Sequence, residues 1–422
     1  MNNTISKEAL DFLEECSKSG IALGLETMTE LMSQLGNPQN SLNIIHIAGT
    51  NGKGSVGAFI QGILMKMGRR VGRYVSPAVF CDLEKYSINK KNIEPQEFNE
   101  CITHVKKAVH KMCDNGFKSA TAFEAETALA FLYFARNNCD YVIIEVGMGG
   151  RLDATNVITS PVLSVITQIG IDHIGYLGNT IEEIAGEKCG IIKTNVPVVS
   201  AIQNTGAKKI IEEYSHLKNT KLIFAKEADY KGFRDNKQYF DYDNIENIEL
   251  NALGLYQLQN ATLAIEAVRV LENVDNETIK AGLKDVIWNG RFEIIYDKPL
   301  FVLDGAHNKD GVFALMQSVQ AYFKGKDIIY ITGTFADKDY EESAKITAPR
   351  AKKIYAITPP TSRGLDSEKY AAVLRKYNKN VYAVSLDEAI RECKKEKNCI
   401  IICFGSLSFL ADIKKEVENE EN

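Results

Sequence analysis

The 422-residue sequence contains no run that approaches the ~18 uninterrupted apolar residues of a membrane-spanning helix. Its N-terminal stretch, MNNTISKEALDFLEECSKSG, carries acidic side chains and lacks the apolar core of a secretory signal. Basic residues are not in excess either, because the formal net charge is −5, which gives no general case for nucleic acid or an acidic membrane surface as partner. These absences predict a soluble, cytoplasmic protein.

The cysteines also lack a pairing pattern. There are nine, an odd count, scattered without C-x-x-C spacing, which favours reduced thiols over a disulfide framework or a zinc site. The sequence has no internal repeat with a period of about 20–50 residues and no low-complexity segment. Its 45% hydrophobic and 25% charged residues are typical of a globular protein, and its length predicts two or three domains.

Strand-like and helix-like segments alternate along most of the chain, which predicts an α/β protein with mostly parallel sheets. A first series has predicted strands at 43–49, 71–76, 140–150, 162–170, 196–201 and 220–225. A second series has them at 299–305, 327–333, 352–358, 380–384 and 398–405. Because residues 288–298 join the two series, we expect domains over 1–296 and 297–422.

Helical periodicity predicts helices at 55–68, 95–115, 121–138 and 255–271. Residues 77–93 are polar and show no clear periodicity. The final KKEVENEEN is predicted to be a solvated or frayed tail.

The stretch HIAGTNGKGSV (46–56) is similar to a phosphate-binding loop but departs from the formula G-x-x-x-x-G-K-[ST]. Ile47 stands where the first glycine belongs, and Gly54 takes the hydroxyl position, with Ser55 one place late. The stretch follows a predicted buried strand and opens a helix, so its backbone N–H groups and Lys53 could hold phosphate. By itself it predicts either a nucleotide site or an ordinary glycine-rich turn.

Glu145 ends a predicted strand whose other residues are apolar, and Gly-Met-Gly-Gly follows it. In open α/β sheets this edge is where ligands bind. A role as Mg²⁺ ligand beside a triphosphate is one interpretation, because Mg²⁺ takes one or two carboxylates plus phosphate and water. A capping or salt-bridged glutamate is the other.

Two further motifs place polar residues after apolar strands. TQIGIDHIGYLG contains Asp172 and His173, and LDGAHN contains Asp304 and His307 in the second series. Two such strand ends in separate domains suggest a ligand held between them. Lys188 lies among apolar and small residues, so its amine is either desolvated, with a lowered pKa, or turned to solvent.

Together these motifs resemble the folylpolyglutamate synthase/dihydrofolate synthase family of the Mur ligase superfamily. The resemblance runs from about residue 43 to 410 and is carried by HIAGTNGKGSV, YVSPAV, TAFEAETALA, EVGMGGRLDATNV, TQIGIDHIGYLGNTIEEIAGEKCGIIK, YQLQNATLAIEA, NGRFE, LDGAHN and FGSLSF. The family's loop reads G-T-N-G-K-G-[ST], which Gly49–Ser55 matches in full. The family implies a P-loop-containing, mostly parallel ATPase domain followed by a smaller Rossmann-like α/β domain.

The resemblance implies roles for residues at matching positions. Those implied to bind ATP are Gly49, Thr50, Asn51, Gly52, Lys53, Gly54, Ser55, Asn260, Arg291 and Asp304. Those implied to hold two Mg²⁺ ions are Ser76, Glu145, His173 and Lys188, the last as a carbamate. Those implied to take part in catalysis are Lys53, Lys188, His173 and His307.

The resemblance also implies a substrate site. Thr121, Phe123 and Glu124 match the segment that lines the pterin side, and Arg151 and Asp153 match the segment tied to dihydropteroate recognition. Ser406 matches a position for the incoming glutamate. One departure is that Ala78 and Val79 stand where many relatives have His-Leu in a folate-facing loop.

The implied reaction joins L-glutamate to a folate, and also to dihydropteroate, in folate biosynthesis, one-carbon metabolism and polyglutamylation. ATP converts the carboxylate to an acyl phosphate, and the glutamate amine then displaces phosphate. Positioning and charge neutralisation by lysine, backbone amides and Mg²⁺ drive the phosphoryl transfer. Closing two domains over the labile acyl phosphate would exclude water.

Alternative functions remain open at this point. A Mur-type ligase acting on another carboxylate would share the ATP machinery, but such enzymes carry an extra N-terminal domain of ~100 residues, for which the stretch before Gly49 leaves no room. A non-catalytic nucleotide-binding switch or a P-loop small-molecule kinase would need no glutamate. A Ser-His-Asp hydrolase is disfavoured because G-x-S-x-G is missing. We expect a monomer, since there is no long heptad or apolar arm.

Overall fold

A computed structural model describes residues 4–20, 24–172 and 175–418. The chain divides into two compact units, each built from several segments. The first unit is Met1–Ala228, Tyr242–Ile245 and Gln259–Asp285, and the second is Asp229–Asp241, Glu246–Leu258 and Val286–Asn422. Both contain a mostly parallel sheet with helices, so the predicted α/β class is confirmed.

The first unit is built on an eight-stranded sheet. Its strands are β1 (Ile44–Ala48), β2 (Val71–Tyr74), β3 (Tyr86–Ile88), β4 (Lys91–Asn92), β5 (Tyr141–Glu145), β6 (Leu163–Ile166), β7 (Val198–Ser200) and β8 (Leu222–Phe224). The spatial order is β4-β3-β2-β5-β1-β6-β7-β8. β2, β5, β1, β6, β7 and β8 run parallel, and β3 and β4 are antiparallel additions at one edge. The sequence pattern did not predict β3 and β4, because such short edge strands are too brief for an alternation to show.

The helices of the first unit flank this sheet. They are α1 (Lys7–Ser17), α2 (Glu26–Gln34), α3 (Lys53–Lys66), α4 (Pro95–Asp114), α5 (Ala122–Arg136), α6 (Ile181–Cys189), α7 (Thr205–Leu217), α8 (Tyr256–Leu271), whose first turn belongs to the second unit, and α9 (Asn276–Lys284). Short 3₁₀ turns occur at Pro38–Ser41, Asp82–Lys85 and Ala154–Val157. Among the residues described, no helix combines the length and apolar character that crossing a bilayer would require.

Local signals explain where several of these elements begin. Thr121 caps α5 and Thr180 caps α6, and each forms a reciprocal capping box with the glutamate three residues later. Every residue of β1 is buried, as expected for a central parallel strand covered on both faces. α3 and α9 pack closely at Gly282, where a Cβ would lie 2.5 Å from the Ile63 Cα.

A three-stranded sheet follows the first series and was not predicted. It consists of β9 (Asp229–Arg234), β10 (Lys237–Tyr242) and β11 (Ile245–Leu250), in the order β11-β10-β9. Asp235 and Asn236 join β9 to β10 with positive φ angles of 53° and 55°. The Asp-Asn pairs in FRDNKQ and DYDNIE are the hairpin signal that could have revealed it.

The second unit has a six-stranded sheet. Its strands are β12 (Glu293–Asp297), β13 (Leu300–Leu303), β14 (Asp327–Thr332), β15 (Lys353–Ala356), β16 (Val381–Ala383) and β17 (Cys399–Phe404), in the order β12-β13-β17-β14-β15-β16. β12 is antiparallel to β13 and the others are parallel. Because β12 pairs with β13, this compact unit begins before the boundary expected at 296/297.

The helices of the second unit connect the parallel strands. They are α10 (Lys309–Tyr322), α11 (Tyr340–Thr347), α12 (Ser367–Leu374), α13 (Leu386–Lys394) and α14 (Leu410–Glu418), with 3₁₀ turns at Ala348–Arg350 and Leu407–Phe409. The predicted frayed tail is wrong as far as residue 418. Ile413 and Val417 are buried, so the apolar stripe of α14 holds this segment against the domain.

Candidate active site

The glycine-rich loop joins β1 to α3 and is held by backbone hydrogen bonds. The amides of Thr50 and Asn51 donate to the Gln168 carbonyl at 2.9 and 3.3 Å, and Thr50 Oγ1 donates to the Gly170 carbonyl at 3.0 Å. These two amides are therefore engaged within the protein. The N–H groups in the first turn of α3, from Lys53 to Ser55, have no partner within the helix and form its electropositive end.

Two glycines of this loop occupy places that other residues could not. Gly52 has φ +88° and directly precedes α3, and a Cβ there would overlap the Asn260 side chain. Gly49 has φ +153°, and a Cβ there would overlap the Thr167 side chain. The structure thus brings predicted residue Asn260, on α8, next to the loop.

Two lysines converge on one oxygen of the loop. Lys53 Nζ lies 3.3 Å from the Gly49 carbonyl oxygen, and Lys188 Nζ donates to the same oxygen at 2.9 Å. Lys53 Nζ is also 3.8 Å from Glu145 Oε1. Residues that are far apart in the sequence are thus assembled at the carboxyl ends of β1 and β5.

Lys188 is buried, with 4% of its surface exposed, so the desolvated alternative for this lysine fits the structure. Burial and, to a smaller extent, the neighbouring positive charge of Lys53 lower the pKa of its amine to about 7, against the opposing effects of Asp172 and Asp153. A substantial neutral fraction at physiological pH follows.

Glu145 is the last residue of β5 and pairs in register with Ile47 of β1. It is buried, and the positive charge of Arg73, on β2, acts on it. Burial lowers the pKa of Arg73 to about 10, while Glu145 and Glu84 act in the opposite direction. Arg73 was not among the predicted site residues, although a charged residue inside the apolar strand VGRYV was a usable signal.

The predicted metal ligands are only partly described. Ser76 follows β2, at the same sheet edge as Glu145. His173 lies outside the described residues. Within the described ranges, no group of three or more His, Cys, Asp or Glu side chains is arranged as a metal site. A single carboxylate nevertheless suits Mg²⁺ that also binds phosphate oxygens.

A pocket of about 360 Å³ opens beside this site, within the first unit. Its walls are formed by Gly20, Ser76, Pro77, Lys85, Thr121, Phe123, Glu124, Glu126, Gly147, Met148, Leu152, Asp153 and Ala154. The structure therefore brings together four of the five residues predicted either to line the pterin side or to take part in dihydropteroate recognition. The fifth, Arg151, pairs with Glu187 at 2.8 Å instead. Lys85 and Glu126 were not predicted.

Several polar side chains of this wall are already used by the fold. Glu124 Oε2 accepts hydrogen bonds from the amide and hydroxyl of Thr121 at 2.8 and 2.9 Å. Asp153 accepts from the amide and hydroxyl of Thr155 and from the amide of Met148. Burial raises the pKa of Asp153, and these hydrogen bonds oppose that rise.

His46, in the middle of β1, contacts the segment that contains Asp153 and Thr155. Thr155 Oγ1 gives its proton to Asp153 Oδ1 at 2.6 Å, so the His46 Nε2 that lies 2.9 Å from Thr155 Oγ1 must be the donor. Burial lowers the pKa of His46 to about 3, so the ring is neutral.

In the second unit, Asp304 follows β13 and is fully engaged. Its Oδ2 accepts from the Tyr256 hydroxyl at 2.6 Å and the Phe292 amide at 3.0 Å, and its Oδ1 accepts from the Ala306 amide at 2.8 Å. Burial raises the pKa of Asp304, although Tyr256, Arg291 and the two amides oppose it. This carboxylate fixes the LDGAHN turn whatever else it binds.

The other predicted residues of this unit lie at neighbouring strand ends. Arg291 Nη1 donates to the Gly290 carbonyl at 3.0 Å, and its guanidinium occupies the space that a Cβ at Gly305 would need. His307 Nδ1 donates to the Gly305 carbonyl at 2.8 Å, which fixes its tautomer. Ser406 follows β17, and its Oγ caps the 3₁₀ turn by accepting from the Ser408 amide.

Comparison with known proteins identifies the family. The model of the Mur ligase middle domain matches residues 47–268, and that of the Mur ligase glutamate ligase domain matches residues 290–407. The chain belongs to the Mur ligase family.

Its relatives are synthases of the folate type. The dihydrofolate synthase/folylpolyglutamate synthase of Bacillus subtilis is 35% identical over 98% of this chain and 100% of its own. The folylpolyglutamate synthase of Lacticaseibacillus casei is 33% identical over 91% and 92%. Among solved structures, Mycobacterium tuberculosis folylpolyglutamate synthase with ADP and AMPPCP superposes with a TM-score of 0.89 at 27% identity, covering 97% and 98% of the two chains.

These matches confirm the resemblance found in the sequence, the two-part Mur ligase fold and the assignment as an ATP-dependent ligase. The Escherichia coli FolC structure in complex with DHPP and ADP is also similar, with a TM-score of 0.87 at 26% identity and 98% coverage of both chains. The individual site residues stay predictions, supported by the geometry above.

Proposed function

We propose that this Mur ligase joins L-glutamate to a reduced folate, and also to dihydropteroate, with conversion of ATP to ADP and phosphate. The observation that carries the proposal is the meeting of Lys53 and Lys188 at the Gly49 carbonyl, beside Glu145. Gly147, two residues beyond Glu145, is one of the residues that line the pocket proposed to bind the pterin. The Bacillus subtilis relative, whose name combines both activities, supports the bifunctional reading.

In the proposed complex the ATP phosphates lie at the N-terminus of α3. The helix end and the ammonium of Lys53 would neutralise the charge that moves to the leaving ADP, which is the main requirement of phosphoryl transfer. The acceptor carboxylate attacks the γ-phosphorus and becomes an acyl phosphate. The glutamate amine then attacks the acyl carbon, and phosphate leaves with the electron pair of the broken C–O bond.

Two Mg²⁺ ions would be held by Ser76, Glu145, carbamylated Lys188 and His173, the last of which lies outside the described residues. When bound, they would neutralise phosphate charge and polarise the phosphoryl oxygens. Glu145 fits such a site because it is a buried carboxylate 3.8 Å from the ammonium of Lys53. Lys188 fits carbamylation because only a neutral amine adds CO₂, and its pKa is about 7.

His307 suits the amine half of the reaction. Because its Nδ1 hydrogen is donated to the Gly305 carbonyl, Nε2 carries the lone pair and can take up the proton that the glutamate amine loses. Ser406 and Arg291 are proposed to help bind glutamate and nucleotide, respectively. We also infer that the protein acts in the cytoplasm and that it is a monomer. Light scattering of the purified protein would test the monomeric state.

The deciding experiment is an omission series for phosphate release. Release should require ATP, Mg²⁺, a reduced folate or dihydropteroate, and L-glutamate together. Release that continues without glutamate would contradict the ligase proposal and favour a kinase or a nucleotide switch. Release with another carboxylate acid but with no pteroate-type acid would point to a different Mur ligase substrate.

A paired assay separates the two proposed activities. Dihydropteroate and a tetrahydrofolate are offered in turn as acceptor, with all other components constant, and the glutamylated products are identified by mass spectrometry. Product from both acceptors is expected. Product from only one would show a monofunctional enzyme and leave the ligase assignment intact.

A further inference from the structure

The wall of the pocket contains an ion pair that the proposed chemistry does not use. Lys85 ends the 3₁₀ turn Asp82–Lys85, and Glu126 lies on α5. Lys85 Nζ donates to Glu126 Oε1 at 2.8 Å and lies 3.3 Å from Asp82 Oδ1. The two pocket-lining side chains are only 14% and 17% exposed, whereas that of Asp82 is 68% exposed.

Lys85 and Glu126 differ from the other charged groups of the wall because they place a donor next to an acceptor. Glu124 and Asp153 are carboxylates and accept the hydrogen bonds described above. In the described part of the chain, Glu126 accepts a hydrogen bond only at Oε1, and Lys85 has one ammonium hydrogen beyond those directed at its two carboxylate partners. The pair therefore offers one acceptor and one donor side by side.

The remaining wall is apolar and suited to a flat ring. Phe123 contributes an aromatic ring that packs over Gly147, where a Cβ would meet the ring at 2.5 Å. Pro77, Met148 and Leu152 supply further apolar surface. A planar head group can stack on Phe123 while its polar edge forms hydrogen bonds with Lys85 and Glu126.

We propose that Lys85 and Glu126 select the acceptor substrate by reading the lactam edge of its bicyclic head group. Glu126 Oε2 accepts the ring N–H, and Lys85 Nζ donates to the adjacent ring carbonyl oxygen. This inference rests on the proposed function, because the head group is that of a pterin acid. A lactam presents its donor and acceptor on neighbouring atoms, which matches two groups held together by a 2.8 Å ion pair.

The arrangement discriminates against head groups with the opposite edge. In a 2,4-diaminopteridine the carbonyl is replaced by an amino donor, and the neighbouring ring nitrogen becomes an acceptor. The amino donor would then face the donor Lys85, and the lone pair of the ring nitrogen would face the acceptor Glu126. Because the side chains of Lys85 and Glu126 are only 14% and 17% exposed, such a mismatch leaves polar groups unsatisfied, which is why hydrogen-bonding sites reject wrong isosteres strongly.

The test compares a 4-oxo acid with its 4-amino counterpart in wild type and in the exchanged double variant Lys85→Glu/Glu126→Lys. Wild type should prefer the 4-oxo acid at least ~10-fold, in kcat/KM and in Kd measured by titration without ATP. The exchanged pair preserves the salt bridge but inverts donor and acceptor, so it should reverse the preference. A merely structural salt bridge would leave the preference unchanged, and that result would overturn the proposal.

Two controls keep the outcome interpretable. Exchange of the surface pair Lys106 and Glu8, which are 2.9 Å apart in the same unit, should not alter the preference. If the exchanged pocket pair fails to fold, as judged by circular dichroism, Lys85→Met replaces it and should reduce the preference to below ~3-fold. A wild type that shows glutamate-dependent release but no preference contradicts only this inference, whereas absence of that release contradicts the proposed function.

Discussion

At the scale of single residues, two ammonium groups share one carbonyl oxygen at the end of β1. The side-chain nitrogens of Lys53 and Lys188 both contact the Gly49 carbonyl oxygen, and the Glu145 carboxylate lies 3.8 Å from the nitrogen of Lys53. Their mutual repulsion helps to lower the pKa of Lys188. The proposed carbamylation of Lys188 would remove that repulsion, because a carbamate is negatively charged and is attracted to the ammonium of Lys53.

Replacing Lys188 with methionine should lower kcat at least ~100-fold, because methionine cannot supply the buried amine. In wild type the neutral amine fraction rises with pH through about 7. Bicarbonate-stimulated phosphate release should therefore also rise through that pH. NMR with ¹³C-bicarbonate would detect the carbamate directly in wild type and not in the variant.

The matched control for this variant is Lys193→Met. Lys193 is five residues further on, and burial lowers its pKa as well, but its amine bonds Asn156 Oδ1 at 2.8 Å, outside the loop. Activity within ~3-fold of wild type is expected. Equal losses in both variants, or normal turnover in Lys188→Met, would remove Lys188 from the mechanism.

His46 makes the stability of the protein depend on pH. Its pKa is about 3 in the folded chain, below the ordinary 6.5. Between these two pH values His46 therefore binds a proton in the unfolded chain but not in the folded chain. The free energy of unfolding therefore decreases as the pH falls from 6.5 towards about 3, by up to ~1.4 kcal/mol per pH unit. Urea unfolding of wild type and His46→Gln at several pH values would measure this slope.

The glutamine variant keeps a donor for Thr155 but cannot titrate, so its slope should be shallower by about one proton. His216→Gln, at an exposed position of α7, should keep the wild-type slope. If wild type and His46→Gln lose stability in parallel, the neutral state of His46 would not be the source of the pH dependence.

At the scale of elements, the start of α3 is the part whose geometry the site depends on most. The strand, the loop and the helix are predictable from HIAGTNGKGSV because local rules govern each of them. The neighbour that restricts the loop, Asn260 on α8, comes from more than two hundred residues away. Only the resemblance to a known family pointed to it.

Gly52→Ala and Gly68→Ala form a matched pair at the two ends of α3. Both glycines have positive φ, +88° and +79°, so each alanine should cost about 1–2 kcal/mol of stability. Nothing lies within 4 Å of a Cβ at Gly68, whereas one at Gly52 would overlap Asn260. ATP affinity should fall at least ~10-fold in Gly52→Ala alone, as measured by calorimetry. Equal ATP affinities in the two variants would show that the loop tolerates the displacement.

The elements that were missed share a physical cause. β3 and β4 are too short to show an alternating pattern, and β9–β11 are only partly buried, so polar residues interrupt their alternation. Their turns, with positive φ at Asp235, Asn236 and Asp243, carried more information than the strands themselves.

At the scale of the whole molecule, the compact units do not follow the chain order. The second unit takes in most of β9–β11 and the first turn of α8, far upstream of its main segment. Its core contains Leu253 and Phe292, and Phe233 stacks on Tyr322 with ring centroids 4.5 Å apart. A cut of the chain at one position therefore removes part of this core.

The fragment 297–422, which matches the domain expected from the sequence, should be unstable by itself. It lacks all of β12 except its last residue, and it lacks Phe292, a fully buried ring that packs edge-on against Tyr322 at 5.2 Å. Loss of such a ring alone costs about 3–5 kcal/mol. The fragment 286–422 restores both and is the control; it should melt at a higher temperature in circular dichroism. Equal melting of the two fragments would show that β12 is dispensable.

The sequence by itself determined the α/β class, the positions of most parallel strands and the family, because strand burial, helix periodicity and short motifs are local properties of the chain. Tertiary structure decided which of those motifs meet. Only folding brings the amine of Lys188 onto the Gly49 carbonyl, removes it from water and thereby lowers its pKa. It likewise pairs Lys85 with Glu126, 41 positions apart, because desolvation and hydrogen-bond geometry depend on neighbours that no local pattern specifies.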